Sequence, residues 1–356
     1  MSSTQISRPF ASRRSRPPRW AGLADRDLLR LPMSDLDLTV KDTWLETCLA
    51  QLNTEISARG LAVKAHAWIS NEWFSPDNTP GISMPFYLAH PRLARLERRM
   101  VMEVEGGTRR ECMRILRHES GHIIQHGFHL HRRRRWQNLF GPSSTPYPNY
   151  YRPDPKSRNF VRHLDKYYAQ CHPDEDFAET FALWLTQSPS TWRRRYADWP
   201  ALDKLEYVDE LMKELAGEKP SLTERVEVDP IKELTETLGE HYSRKREHYG
   251  VDAPSTFDRK LKRIFVRAHN APKHAMRASA FVRGNRERLR REVERVSEDY
   301  AVIFDEALKD LIERCRDLDL RFCGPVRDTR AALVRLLTRP NVYARYNTTR
   351  RQWYAV

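Results

Sequence analysis

The chain has 356 residues, of which 40% are hydrophobic and 10% aromatic, so it can bury a substantial core and is not a largely disordered protein. No apolar run reaches the length of a membrane-spanning helix, and we expect no membrane partner. The net charge of +14 lies at the two ends. Residues 1–24 hold five arginines and no acid, and residues 251–356 hold 24 Lys and Arg against 14 Asp and Glu. An acidic substrate therefore does not follow from the overall charge.

The N-terminal segment 1–24 predicts a disordered basic tail. It lacks the apolar stretch of a secretory signal, and its three prolines oppose the amphipathic helix of a transit peptide. The five cysteines are scattered and form no CxxC motif, a pattern that is typical of reduced thiols. Together these features predict a cytoplasmic location.

The next part of the chain predicts helices mixed with short strands. Apolar residues at helical spacing predict a helix over Lys41–Ala58. Two aromatic-rich stretches, Val63–Phe74 and Ile82–Leu88, predict strands on either side of the turn signal SPDNTPG. A third short strand is predicted at Val101–Glu105.

The remaining elements are predicted to be mostly helical. Thr108 suits the N-cap of a helix from Arg109 to about Gln125, which Gly127 ends, and the Pro- and Tyr-rich segment 141–158 must be largely loop. Further helices are predicted at Asn159–Ala169, Pro173–Thr186, 200–216, 231–249 and 284–318.

Composition along the chain also predicts the domain organisation. We expect a first domain over 25–216 and a linker over 217–230, which is rich in charged residues and prolines. Residues 231–356 are then expected to form a helical, basic C-terminal region. The apolar stripe within 284–318 predicts a packing face.

The most informative segment is His118-Glu119-Ser120-Gly121-His122. On a helix, residues four positions apart lie on one face, so the imidazoles of His118 and His122 can bind one zinc ion. Glu119 then lies beside the open coordination position. Apolar flanks predict that this helix is buried, and Gly121 leaves room for a close neighbour.

A second acidic motif, His172-Pro-Asp-Glu-Asp-Phe-Ala-Glu, supplies candidates for the third ligand. Glu175 and Glu179 share one helical face, so one carboxylate can bind the metal while the other accepts the ring N–H of a ligand histidine. Spacing alone leaves this choice open. A third histidine ligand in the pattern HExxHxxGxxH is excluded, because Gln125 and Phe128 stand at the required positions. His126, His129 and His131 are expected to be surface residues.

These motifs make the chain resemble the bacterial zinc-binding metallopeptidases of the Peptidase Mx type. The resemblance implies an α+β fold in which 25–216 is a zincin-like domain of the gluzincin kind, with a small mixed sheet, an active-site helix and a ligand helix. It also implies that Glu175 is the third zinc ligand and that Glu179 supports a ligand histidine. Lethal-factor-type gluzincins are similar in placing a Tyr seven residues before the ligand Glu, which here is Tyr168. The segments that carry the resemblance are WISNEWFSP, PFYLAHPRL, EVEGGT, ILRHESGH, YYAQCHPDEDFAETFALWL and WPALDKLEYVDELM.

The expected activity is hydrolysis of peptide or amide bonds in a peptide or protein substrate, with Zn²⁺ as cofactor. Glu119 is expected to be the general base, and Tyr168, or less directly His172, to donate a hydrogen bond to the oxyanion. Two alternatives remain: a non-catalytic zinc-bound regulatory protein, and a nucleic-acid or polyanion binder that uses its basic C-terminal region. An acidic protein partner explains those charges equally well, and the sequence does not define the oligomeric state.

Overall fold

A computed structural model describes residues 18–77, 79–101, 104–248, 255–296, 298–340, 342 and 354–355. The chain forms two compact units, and the boundary between them in the sequence lies between Ser243 and Arg244. We call them the first unit and the second unit. Within the described ranges, no helix combines the length and the apolar character that crossing a bilayer requires.

Helices dominate the first unit. Short 3-10 turns at Arg19–Gly22, Met33–Leu36, Phe86–Leu88, Leu130–Arg132, Asp165–Gln170 and Ile231–Glu233 connect them. The α-helices are α1 (Asp25–Leu28), α2 (Trp44–Ala58), α3 (Pro91–Val101), α4 (Arg109–Gly127), α5 (Arg134–Phe140), α6 (Pro173–Thr186), α7 (Pro189–Arg195), α8 (Ala201–Glu214) and α9 (Leu238–His248), the last of which spans the boundary between the units.

The sheet of the first unit is small. Strand β1 (His66–Ser70) pairs in parallel with β2 (Gly81–Pro85), and a two-residue strand β3 (Tyr150–Tyr151) lies in the long loop. Phe74 makes an isolated antiparallel bridge to Ser83. Both paired strands are shorter than the sequence predicted, and β2 ends at Pro85 because the chain after it turns into the 3-10 helix Phe86–Leu88. These elements give an α+β fold, and the zincin arrangement stays a prediction.

The predicted third strand is not formed by the described residues of its range. Val101 ends α3, a helix that the sequence did not predict, and Val104 and Glu105 lie in a turn. Residues 102–103 of this prediction lie outside the described residues. α3 buries the side chains of Leu93 and Leu96, and Nη2 of Arg92 forms an ion pair with Oδ1 of Asp25 at 2.6 Å. The helix therefore packs on the core through one face.

α4 and α6 form the centre of the unit. α4 begins with a capping box in which Thr108 accepts the backbone N–H of Glu111 and Glu111 accepts that of Thr108. The two helices pack closely at Gly121, where a Cβ atom would lie only 2.6 Å from the Cα of Ala178. The absence of a side chain at Gly121 therefore sets the distance between the helices, as the sequence suggested.

The segment before α6 differs from its prediction. The sequence predicts a helix over Asn159–Ala169, but only Asp165–Gln170 is helical, and it is an irregular 3-10 turn in which Lys166 and Tyr167 have positive φ angles. The backbone N–H groups of residues 163 and 164 are instead bonded to the carboxylate of Glu179. A buried side-chain acceptor has replaced the helical carbonyls as their partner.

The sequence also placed a linker at 217–230, and in the structure this segment packs on the first unit. Its carbonyl groups accept hydrogen bonds from buried side chains around the sheet: Trp68 Nε1 donates to Val228 O (2.9 Å) and Ser70 Oγ to Asp229 O (2.5 Å). The compact unit extends beyond this segment to Ser243.

The second unit is a separate helical bundle with its own core. Strands β4 (Val266–Arg267) and β5 (Leu320–Arg321) pair antiparallel, and Phe281 and Phe322 stack with ring centroids 4.0 Å apart. The predicted helix 284–318 is two helices, and Val296 between them is 56% exposed instead of lying on the packing face. The elements are α10 (Ser255–Ile264), β4, α11 (Ala278–Gly284), α12 (Arg286–Glu294), α13 (Glu298–Asp317), β5, α14 (Val326–Leu337) and β6 (Tyr354–Ala355).

Candidate metal centre

Two helices bring three metal-ligating groups together. His118 and His122 lie one turn apart on α4, and Glu175 faces them from the first turns of α6; all three are buried. The Nε2 atoms of the two histidines lie 3.3 Å apart, and Oε2 of Glu175 lies 2.8 Å from the first and 3.3 Å from the second. In the described part of the chain, this is the one set of three such groups whose ligand atoms all lie within 4.8 Å of one another.

Glu179 supports His118 from the opposite side of its ring. Oε1 of Glu179 lies 3.0 Å from Nδ1 of His118, and its Oε2 accepts the backbone N–H groups of His163 (3.2 Å) and Leu164 (2.7 Å). With Nδ1 bonded to this fixed carboxylate, the ring is held so that Nε2 of His118 faces Glu175 and His122. The two acids therefore have different positions: Glu175 lies beside Nε2 of His118 and of His122, and Glu179 lies on the Nδ1 side of the His118 ring.

The electrostatics of the cluster favour a cation. Burial by itself would lower the pKa of His118, but hydrogen bonds to Glu175 and Glu179 outweigh burial and raise that pKa well above its usual range. Burial would likewise raise the pKa of Glu175, but the charge of His122 and the hydrogen bond from His118 hold it well below. A positive charge between these groups is thus strongly stabilised, whether a proton or a metal ion carries it.

Glu119 faces a cleft that His118, His122 and Glu175 also line. The cleft has a volume of about 610 Å³, and its walls include Trp73, Phe74 and Leu222. Glu119 is 7% exposed, and its carboxylate makes no hydrogen bond or ion pair with any described residue. Its backbone carbonyl accepts a hydrogen bond from Ser75 Oγ (3.2 Å), which joins α4 to the rim of the cleft.

The two candidate oxyanion donors have different positions. Tyr168 lines the cleft, with its ring centroid 5.5 Å from that of His118. His172 is the N-cap of α6, where Nδ1 accepts the backbone N–H of Asp174 (3.2 Å) and Nε2 lies 2.6 Å from the carbonyl oxygen of Thr145. Both ring nitrogens of His172 are therefore engaged, whereas Tyr168 faces the cleft.

Tyr147 is a further residue of the site, and the sequence did not predict it. Its hydroxyl donates a hydrogen bond to Oε1 of Glu175 (2.9 Å), and its ring stacks on His172 with centroids 3.7 Å apart. Burial, followed by the charge of Glu175, raises the pKa of Tyr147 and of Tyr168, so both phenols remain donors. Tyr147 lies in a loop without periodic pattern, and only its place in a Tyr-rich segment could have suggested a role.

One of the histidines after the motif, His126, is placed differently from its prediction. His126 was expected on the surface, but it is only 9% exposed, and it lines the cleft together with His129 and His131. It follows His122 by four residues, so it continues the same face of α4. The wider cleft is therefore lined by five imidazoles.

The donor set fits a zinc ion. Four ligands arranged tetrahedrally at about 2.0–2.1 Å from zinc lie roughly 3.3 Å from one another, and two of the three separations here are 3.3 Å. Two histidines and one carboxylate beside a cleft are a donor set that could hold this ion. The fold and the cluster thus define the class as a helical α+β protein with a candidate zinc centre.

The comparison with protein families agrees with this class. The model of a family described as putative zinc-binding metallo-peptidase matches residues 93–198. The match covers α4, α6 and the loop between them, and it confirms the family resemblance expected from the sequence. No curated protein and no solved structure matches the chain.

Proposed function

We propose that the protein is a zinc-dependent metallopeptidase that hydrolyses peptide or amide bonds at the cleft of the first unit. The observation that carries the proposal is the convergence of His118 Nε2, His122 Nε2 and Glu175 Oε2 at the base of a cleft that Glu119 also faces. A merely structural zinc site has no use for an unpaired carboxylate beside its ligands. The cytoplasmic location stays a prediction.

The side chains divide the chemistry between them. Zinc, when bound, polarises the scissile carbonyl and lowers the pKa of its bound water towards neutrality. Glu119 takes the proton from the attacking water and delivers it to the leaving nitrogen. Tyr168 donates a hydrogen bond to the developing oxyanion. Glu179 holds the ring of His118 in place, and Tyr147 holds the second oxygen of Glu175.

The test compares the full-length protein with Glu119→Gln. The amide keeps the shape of the side chain but cannot accept the proton, so we expect zinc content to be unchanged and hydrolysis to fall by roughly 10²–10⁴-fold. Zinc is measured by mass spectrometry of the metal. Hydrolysis is measured as new peptide termini in a proteome-derived peptide library.

The matched control is Glu72→Gln, a half-buried acid on the segment beside the cleft, which should leave hydrolysis intact. If the Glu119→Gln protein cleaves as fast as the wild type, the proposed mechanism fails. If neither the wild type nor the Glu119→Gln protein cleaves any peptide while both bind zinc, the non-catalytic alternative is favoured.

A second candidate function, polyanion binding, rests on the second unit. On α10 the side chains of Phe257 and Leu261 are buried, while Arg259, Lys262 and Arg263 are exposed. A helix with one apolar face and one cationic face presents several charges to a partner at once. We propose that nucleic acid or an acidic protein surface binds there.

Its test neutralises the three exposed cations of α10 to Gln in the full-length protein. Binding to heparin and to DNA should weaken, and the salt dependence of DNA binding should become less steep, because fewer counterions are released. Unchanged binding and an unchanged salt dependence would place the polyanion site elsewhere. The control neutralises three exposed cations of the first unit, namely Arg26, Arg30 and Lys41.

A further inference from the structure

We propose that His126, His131 and Asp77 form a second, weaker site for a divalent transition-metal ion at the far end of the cleft. All three residues line this cleft. The proposal concerns metal binding alone and does not depend on hydrolysis at the first centre.

One donor separation in this set equals one in the first centre. Nε2 of His126 lies 3.3 Å from Oδ1 of Asp77, the same separation as between Nε2 of His122 and Oε2 of Glu175. The ring centroids of His126 and His131 lie 5.6 Å apart, compared with 5.0 Å for the histidine pair of the first centre. Two imidazoles and a carboxylate are thus grouped a second time, one helical turn further along α4.

An unsatisfied nitrogen points to a missing partner. Nδ1 of His131 is buried and has no hydrogen-bond partner among the described residues. Buried polar atoms are nearly always bonded, and an exception calls for an explanation such as an ion. A metal bound by this imidazole would remove the deficit.

The surroundings prepare the two imidazoles for a cation. Burial lowers the pKa of His126 and of His131, which favours the neutral form that a metal ligand requires. His126 lies in the last turn of α4, where the helix dipole stabilises positive charge. Arg132 also lines the cleft, but its side chain is exposed and can extend into solvent.

The second site is looser than the first. Its donor atoms are not all within 4.8 Å of one another, and the side chain of Asp77 is 87% exposed, so the carboxylate must adjust on binding. Weaker affinity follows from this adjustment. Imidazole with carboxylate suits zinc, copper and nickel better than magnesium or calcium.

The experiment is a zinc titration of the metal-stripped, full-length protein by competition with a chromogenic chelator. We expect two steps in the wild type, and we expect Asp77→Asn and His131→Ala each to lose the weaker step while keeping the tighter one. His118→Ala should lose the tighter step and keep the weaker one, because it removes a proposed ligand of the first centre. His274→Ala, which changes an exposed histidine of the second unit, is the control and should keep both steps.

The outcomes separate the two centres. A wild-type protein that takes up zinc in a single step, with full occupancy of the first centre, overturns the second site. So does a weaker step that survives in Asp77→Asn and in His131→Ala. Since Asp77 is an exposed loop residue, its substitution does not threaten folding, and circular dichroism of each variant checks this point.

Discussion

The close approach of α4 and α6 makes Gly121→Ala a sharp test of how the metal centre is built. The added Cβ would lie 2.6 Å from Cα and 3.1 Å from Cβ of Ala178, whereas carbon atoms in contact prefer about 3.5–4.0 Å. The nearest atom belongs to the backbone and cannot rotate away. The two helices must therefore separate by about 1 Å.

The change in the free energy of unfolding of Gly121→Ala is the difference between two opposing effects. Overpacking a core typically costs about 1–3 kcal/mol of stability. The upper end of this range applies here because the added Cβ atom clashes with a backbone atom, Cα of Ala178. Replacing Gly by Ala within a helix returns about 1 kcal/mol of propensity. We expect the free energy of unfolding of the first unit to fall by about 2 kcal/mol as the difference of these two effects.

The same displacement weakens zinc binding. Glu175 and Glu179 both lie on α6, so a shift of about 1 Å moves them away from His118, and metal sites tolerate only about 0.2 Å of error in ligand distances. We expect zinc affinity to fall at least about tenfold, the usual result of losing an outer contact to a ligand. Urea unfolding and zinc competition measure the two effects.

Gly22→Ala is the matched control, since a Cβ at that position meets nothing within 4 Å. It should leave zinc affinity unchanged. If Gly121→Ala unfolds at the wild-type urea concentration and binds zinc as tightly as the wild type, the helix spacing does not control the site and the reasoning is refuted.

Three further predictions concern the ligands themselves. Glu175→Ala should lose most zinc affinity because only two protein ligands remain, whereas Glu179→Ala should lose roughly 10–100-fold; the reverse order in a zinc titration would exchange their roles. Tyr147→Phe removes the hydrogen bond to Glu175 and should weaken zinc binding by up to about tenfold without unfolding the protein, and zinc affinity equal to that of the wild type would show that this bond does not position the ligand. Zinc uptake near neutral pH should release protons, because the pKa values of His118 and His122 are both raised in the metal-free chain; affinity should therefore rise with pH through that range, and calorimetry in buffers of different ionisation enthalpy counts the protons.

Sequence patterns predicted α4 and α6, the two helices of the candidate metal centre, because both helices begin with clear sequence signals. The helix from Arg109 has an N-cap threonine with a glutamate three residues later, and α6 begins with a proline in its first turn and was predicted with its observed bounds. The four-residue spacing on α4 was enough to place His118 and His122 on one face. The close packing at Gly121 was also foreseen from the lack of a side chain.

The errors arose where tertiary contacts override local preference. The stretch 159–164 was predicted to be helical, but the backbone N–H groups of His163 and Leu164 donate to Glu179, a partner that no local pattern reveals. Tyr147 reaches Glu175 across a long irregular loop. His126 has no neighbour in sequence that shows it to be buried, because its environment comes from Asp77 and His131 on other segments.

The packing of 217–230 on the sheet has a practical consequence for dividing the chain. A truncation at residue 216, as composition alone would suggest, would remove the acceptors of the buried donors Trp68 Nε1, Ser70 Oγ and Thr79 Oγ1. Each buried donor left unsatisfied costs about 1–3 kcal/mol, so such a fragment would be prone to misfold and aggregate. It would also lack Leu222 and so open one wall of the cleft. A fragment intended to retain the metal centre should instead extend to the end of α9.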